Sequence, residues 1–206
     1  MQTIESEWLA ESQQAMRGWD FSHLKGRCQT EELPWNYSAW VRRHLKPSDE
    51  WLDMDTGGGE LMQTFQHPVE KTTVTEGWQP NIDLLKRTLV PQGVTLYPDP
   101  EERLAQVPDE YFDIVTNSHG GLPIRDIARV LRPHGLFVSQ QVGATNNYSL
   151  SRFLNANYVP AFPDNNLPQV MTELREAGFE ILKSDAAFVK MNFTPQFTIQ
   201  VQHPDD

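Results

Sequence analysis

Leu52-Asp53-Met54-Asp55-Thr56-Gly57-Gly58-Gly59-Glu60, followed by Val74-Thr75-Glu76-Gly77-Trp78, is the stretch from which the fold is read. A short apolar strand ends in an acid and runs into a glycine-rich turn that opens a helix. The next strand ends in a second acid, Glu76. Nucleotide-binding α/β proteins are laid out this way. Glycines let the backbone come close to a ligand, and a carboxylate at the next strand's tip accepts hydrogen bonds from two ribose hydroxyls.

The turn also limits which nucleotide it suits. A Walker-type loop places Lys and then Ser or Thr after its last glycine, where Glu60 and Leu61 stand here, so triphosphates are not expected. A dinucleotide site spaces its glycines G-x-G-x-x-G, whereas residues 55–60 read D-T-G-G-G-E. Acidic flanks repel phosphate and suit a ligand that carries positive charge without it. S-adenosylmethionine, with sulfonium and ammonium groups, fits that description.

With 206 residues the chain is long enough for one domain with a full core. The expected layout is an amino-terminal helical cap or arm over residues 1–48, packed on a cofactor-binding domain over 49–206. A net charge of −11 gives an acidic surface that argues against RNA and against anionic membranes as partners. The densest basic run, Arg42-Arg43-His44-Leu45-Lys46, falls on an expected helix and reads as a solvated face.

Cys28 is the only cysteine, so no internal disulfide or cysteine zinc cluster can form, which is compatible with a reducing cytoplasm. The first residues are polar and acidic, without a signal-like apolar run, and no apolar stretch is long enough to span a membrane. The six histidines, at 23, 44, 67, 119, 134 and 203, show no i, i+4 pairing, so no metal site is expected.

Along the chain, residues 4–17 have helix-forming composition. Trp19, Phe21, Trp35 and Tyr37 follow, either packing an arm onto the core or forming a lid over a ligand. From residue 51 strand and helix alternate. Strands are expected at 51–54, 72–75, 93–97, 111–116 and 135–141, with helices from 59, near 80–90 and at 123–131. That rhythm predicts a mostly parallel sheet with helices on both faces. A helix over 167–177 ends at Gly178. Strands beginning at Phe179 and over Phe197 to Val201 are then expected to close a seven-stranded sheet as an antiparallel hairpin.

These residues resemble the class I S-adenosylmethionine-dependent methyltransferases. In that Rossmann-like fold the first strand ends in a D-x-G-x-G-x-G type turn, the second in an acid and the fourth in an F-D-x-V segment. Asp53 to Gly59, Glu76 and Phe112-Asp113-Ile114-Val115 take those places. Ala128 to Gly135, A-R-V-L-R-P-H-G, is similar to the A-R-V-L-K-P-G-G signature before the fifth strand. More narrowly, the chain resembles a group of stand-alone bacterial methyltransferases with L-D-M-G-T-G-G-G-E, T-E-G-Y-P-P-N, N-R-H-E and Q-Q-V-G-G motifs. Leu52 to Glu60, Thr75 to Asn81, Asn117 to Gly120 and Gln140 to Ala144 match these, within a resemblance running from about Trp19 to Phe188. Four departures stand out: Asp55, Ser118, Gly120 and His134 replace a Gly, an Arg, a Glu and a Gly. Asp55 either crowds the amino-acid end of the cofactor or pairs with its ammonium, and both readings stay open.

The resemblance implies a cofactor site made of Asp53, Asp55, Gly57, Gly59, Glu76, Gly77, Trp78, Asp99 and Asn117. Glu76 is assigned to the ribose hydroxyls, while Asp53 shapes the turn and the ammonium contacts. Gly57 and Gly59 permit close approach. Trp78 either packs on adenine or is a core residue; Asp99 either holds the adenine amino group or makes an ordinary turn. His119, beside Asn117 and Ser118, is the candidate general base, and Gln140, Gln141 and Asn146 are candidates to orient an acceptor. The expected activity is methyl transfer to an unidentified small molecule. The alternative is a non-catalytic relative with an altered cofactor site. An NAD-dependent oxidoreductase would have to place pyrophosphate beside Asp55 and Glu60.

Overall fold

The computed structural model describes residues 28–193 and, ahead of them, residues 6, 9, 10, 13, 25 and 26. The expected helix over 4–17 is described only in part. Trp19, Phe21, His23, His203 and the expected strand Phe197 to Val201 lie outside the described residues.

The central sheet has five strands: β2 (Trp51–Met54), β3 (Thr72–Glu76), β4 (Thr95–Pro98), β5 (Phe112–Ser118) and β6 (Leu131–Gln140). Their order is β4-β3-β2-β5-β6, and every neighbouring pair is parallel. The order reverses between β2 and β5, so the connections leaving their carboxyl ends run to opposite sides, at the switch point where ligands bind in open α/β sheets. Strand residues point alternately to the two faces, and this builds two cores. Leu52, Met54, Phe112 and Val115 join Ile127 and Val130 on one side; Trp51, Val74 and Ile114 join Leu85 and Leu89 on the other.

The helices follow local chemistry. Asn36 caps α1 (Tyr37–His44) by accepting from the Ala39 N–H at 2.9 Å. A four-residue helix, α2 (Glu60–Gln63), follows the glycine turn, and α3 (Gln79–Thr88) carries Pro80 in its first turn. Next come α4 (Ile124–Val130), α5 (Tyr148–Leu154) and α6 (Leu167–Glu176). Arg42 is more than a solvated cation: its guanidinium donates to Thr64 O at 3.1 Å and lies 5.1 Å from the Phe65 ring centroid. Among the described residues no helix is long and apolar enough to cross a membrane.

The strand at the carboxyl side departs from expectation. Residues 179–182 form no ladder. Phe179 turns its ring toward Phe137, 6.2 Å between centroids, while Leu182 is exposed. They alternate in burial as a strand would but join no ladder; the Phe179 N–H instead donates to Leu174 O at 3.0 Å, at the end of the preceding helix. The antiparallel element is instead a separate two-stranded sheet, β1 (Cys28–Thr30) with β7 (Met191–Phe193). The described sheet therefore has five strands and no carboxyl-terminal hairpin at its edge.

Candidate functional site

The carboxyl ends of β2, β3 and β5 bring the sequence-selected residues together. Asp53 is the penultimate residue of β2 and is buried. Its Oδ2 accepts from Thr56 Oγ1 at 2.7 Å and its Oδ1 from Thr116 Oγ1 at 2.6 Å. Thr116 in turn accepts from the Trp51 indole at 2.8 Å. Asp53 thus ties the glycine turn to β5, with both oxygens engaged by protein hydroxyls. Burial raises its carboxyl to about 6, against the lowering effect of Thr116 and Thr56.

The glycine turn is held by backbone bonds as well. Thr56 donates its N–H to Thr75 O and Gly59 donates to Thr56 O, both at 3.0 Å. Gly57 and Gly59 have φ of 64° and 82°, the left-handed region that favours glycine. A Cβ on Gly59 would also lie 2.6 Å from Leu89 Cδ1, so this residue sets how closely the turn packs on the end of α3.

Asp55 has φ 52°, in the left-handed region that glycine adopts freely. Its Oδ2 accepts from the Gly121 N–H at 3.0 Å, spanning from the β2 turn to the loop after β5. Burial raises this carboxyl to about 7; the charges of Glu102, Glu76 and Asp99 add to the rise, and the Gly121 N–H opposes it.

Glu76, at the tip of β3, is buried and accepts from the Trp78 N–H at 2.8 Å and from Asn81 Nδ2 at 3.3 Å. Each carboxylate oxygen has two acceptor positions, so both keep one for a ligand hydroxyl. Gly77 passes beside the β4 end, where a Cβ would lie 3.1 Å from Asp99 O. Trp78 is 48% exposed, which makes it a surface residue rather than a core one. Asp99 is buried and bonds its own turn: Oδ1 accepts from the Arg103 N–H at 3.2 Å and Oδ2 from the Leu104 N–H at 2.8 Å. The turn reading of Pro98-Asp99-Pro100 therefore has a structural basis.

Asn117 is the clamp of the loop after β5. Fully buried, it donates from Nδ2 to Gly121 O at 2.9 Å and accepts at Oδ1 from the Gly120 N–H at 3.1 Å and Gln141 Nε2 at 2.6 Å. His119 sits on that loop with φ 68°. Its Nε2 lies 3.4 Å from Gln140 Nε2, while Gln140 Oε1 accepts from the Trp35 indole at 2.9 Å. The indole nitrogen is a donor only, so it fixes which way the Gln140 amide faces, and the amide's N–H group then meets a lone pair on His119 Nε2. The basic nitrogen of His119 is thereby engaged by Gln140. Burial pushes the imidazole below its ordinary value, so the ring is neutral at pH 7.

Tyr37 belongs to the same end of the sheet, as a packed residue. It is 9% exposed, and its hydroxyl is buried beside Thr116 and Asn117. Burial and the charge of Asp53 raise its phenol. Sequence reading did not select Thr116, Glu102 or Gly121. Thr116 had one available signal, the inward phase of the β5 alternation; the other two carry none, because loop packing places them. Asn146 is exposed and stands off this group of contacts. A separate hollow of about 270 Å³ between α4 and α6, lined by Ile124, Arg125 and Glu173, shares no residue with the site.

No protein-family model and no curated protein matches the sequence. Solved structures do match its architecture. An S-adenosylmethionine-dependent methyltransferase from Mesorhizobium loti superposes with a TM-score of 0.53 at 13% identity, over 70% of this chain and 81% of that one. The YcgJ protein from Bacillus subtilis gives 0.54 at 18% identity, over 68% of this chain and 67% of its own. The cyclase SpnF gives 0.52 at 20%, over 71% of this chain and 57% of the cyclase. At these identities the likeness shows the fold, which is the Rossmann-like class I methyltransferase fold.

Proposed function

We propose that this chain is an S-adenosylmethionine-dependent methyltransferase acting on a small-molecule acceptor in the cytoplasm, with residues 1–48 as a cap over a cofactor-binding domain at 49–206. The observation that carries the reading is the meeting of the glycine turn with Glu76 and the Asn117-clamped loop at the point where strand order reverses. The donor set fits the cofactor. The carboxylates of Asp53, Asp55 and Glu76 come together here, and Gly77 leaves a close backbone approach beside the β4 end. Glu76 would take the ribose hydroxyls and Trp78 would offer an exposed ring face for the adenine. Gly57 and Gly59 would admit the amino-acid end.

When bound, S-adenosylmethionine supplies a methyl group on a sulfonium, already a good leaving group. What remains for the protein is to hold an acceptor in line and exclude water. The loop carrying Ser118 and His119, with Gln140 and Gln141 beside it, borders that position. His119 acts as base only for an acceptor that must lose a proton, and only after Gln140 releases Nε2.

Calorimetry with S-adenosylmethionine and S-adenosylhomocysteine tests the cofactor assignment. Micromolar binding that falls at least about tenfold in Glu76→Gln is expected, equivalent to roughly 1.4 kcal/mol. Tighter binding of a nicotinamide dinucleotide would overturn it. The alternative, a non-catalytic protein with this fold, is favoured by the Asp55 bridge to Gly121, and SpnF, named as a cyclase, has the same fold. Cofactor binding without methyl consumption in any acceptor screen would select that reading.

A further inference from the structure

Two of the four departures from the resembling group meet in space. Asp55 stands where the group has Gly, and Gly120 where it has Glu. A Cβ on Gly120 would lie 2.1 Å from Asp55 Oδ2, 2.6 Å from its Cβ and 2.7 Å from its Cγ. The clash involves the stem of the aspartate as well as its flexible end. A side chain at 120 and the observed Asp55 conformer therefore exclude each other.

The backbone at 55 has φ 52°, a left-handed conformation that a glycine would also accept. The carboxylate enters the space beside position 120 and bonds the next backbone N–H, that of Gly121. No described residue donates to its other oxygen, Oδ1. The neighbouring carboxylates of Glu76, Asp99 and Glu102 make an ionised Asp55 costly until a cation arrives.

We propose that Asp55 and Gly120 are an exchanged pair: the acid that the group carries after the fourth strand is supplied here from the turn after the first, and it pairs with the ammonium group of the bound methyl donor. The proposal rests on the methyl-donor reading above and decides between the two roles that the sequence leaves open for Asp55. The residue supports binding and does not block it.

Two probes separate the ammonium from the rest of the ligand. S-adenosylhomocysteine carries the amino-acid end, and 5′-methylthioadenosine lacks it. Calorimetry on the native chain, Asp55→Gly, Gly120→Glu and the double variant should show a loss of about tenfold or more in S-adenosylhomocysteine affinity for Asp55→Gly, the scale of one charge-assisted hydrogen bond. Binding of 5′-methylthioadenosine should stay within about threefold, and the double variant should regain most of the lost affinity. Equal or tighter S-adenosylhomocysteine binding by Asp55→Gly overturns the proposal.

Thermal unfolding of the same four proteins gives a readout that needs no ligand. Gly120→Glu alone should lower Tm by roughly 4 °C or more through overpacking, and adding Asp55→Gly should recover most of it. An unchanged Tm in Gly120→Glu, or no recovery in the double variant, ends the exchange. If neither probe binds any of the four proteins, the methyl-donor reading fails, and with it the ammonium pairing; the Tm cycle then still decides the steric exchange.

Discussion

Thr116 on β5 donates its hydroxyl to Asp53 on β2 at 2.6 Å while accepting the Trp51 indole N–H at 2.8 Å. One buried hydroxyl thereby serves a carboxylate and an indole from the neighbouring strand. Thr116→Val keeps the shape and removes both bonds. It should destabilise the protein by about 2–4 kcal/mol, the cost of leaving two buried polar groups unpaired. Urea unfolding of the two proteins checks this, and a difference under about 0.5 kcal/mol would mean that the bonds are not formed in solution.

The Asp55 carboxyl is held at about 7 by burial and by Glu102, Glu76 and Asp99, well above its ordinary value of 3.8. A raised acid contributes stability below its unfolded value and loses it as pH rises through the folded one. The native chain should therefore lose stability between about pH 4 and pH 7 relative to Asp55→Asn, which has no charge to acquire there. Denaturation curves of the pair at pH 5 and pH 8 measure it. A constant difference between the two proteins would show that Asp55 titrates normally. Methyl-donor affinity should run the other way, rising through pH 7 in the native chain and staying flat in the Asn variant.

His134 has φ 66° at an exposed position where the resembling signature has glycine. The left-handed conformation costs a non-glycine residue roughly 1–2 kcal/mol, partly offset by glycine's greater freedom when unfolded. His134→Gly should raise stability by about 0.5–1 kcal/mol. A drop in Tm would indicate that the imidazole makes a compensating contact.

Gly59→Ala should be more harmful than its one added methyl suggests. The substitution meets both a φ of 82° and Leu89 Cδ1 at 2.6 Å. A loss of about 2–4 kcal/mol is expected, combining backbone strain with overpacking, and wild-type unfolding behaviour in this variant would contradict the packing of α3 on the turn.

His119 should titrate below its ordinary value, as burial requires, and should carry its neutral proton on Nδ1 while Gln140 faces Nε2. Imidazole nitrogen shifts across pH 5–8 test both points. Trp35→Phe removes the group that orients Gln140 and should shift the tautomer balance; an unchanged spectrum would separate Trp35 from this chain of bonds.

The parallel core was readable in the sequence because its signals are local and periodic. Trp51 to Met54 is mostly apolar and Thr72 to Glu76 is rich in β-branched residues, and Asp53, Gly57, Gly59 and Glu76 sit at fixed offsets from strand ends. The β1–β7 pairing was not readable: three residues carry no usable period, and the partners are separated by most of the described chain. Phe179 to Leu182 had the right alternation, but alternation records which side is buried and says nothing of what the backbone bonds. Within the site, Asp55 was visible as an anomaly, whereas its bond to Gly121 depends on two loops that only the folded sheet brings together.

The Asn117 side chain, at one end of its loop, fastens the other end at Gly120 and Gly121, and is itself fastened by Gln141. The two residues enclosed, Ser118 and His119, are therefore an exchangeable cassette between fixed anchors. A library randomised at those two positions, with 117, 120 and 121 held constant, would sample new chemistries at the crevice mouth while the scaffold stays the same.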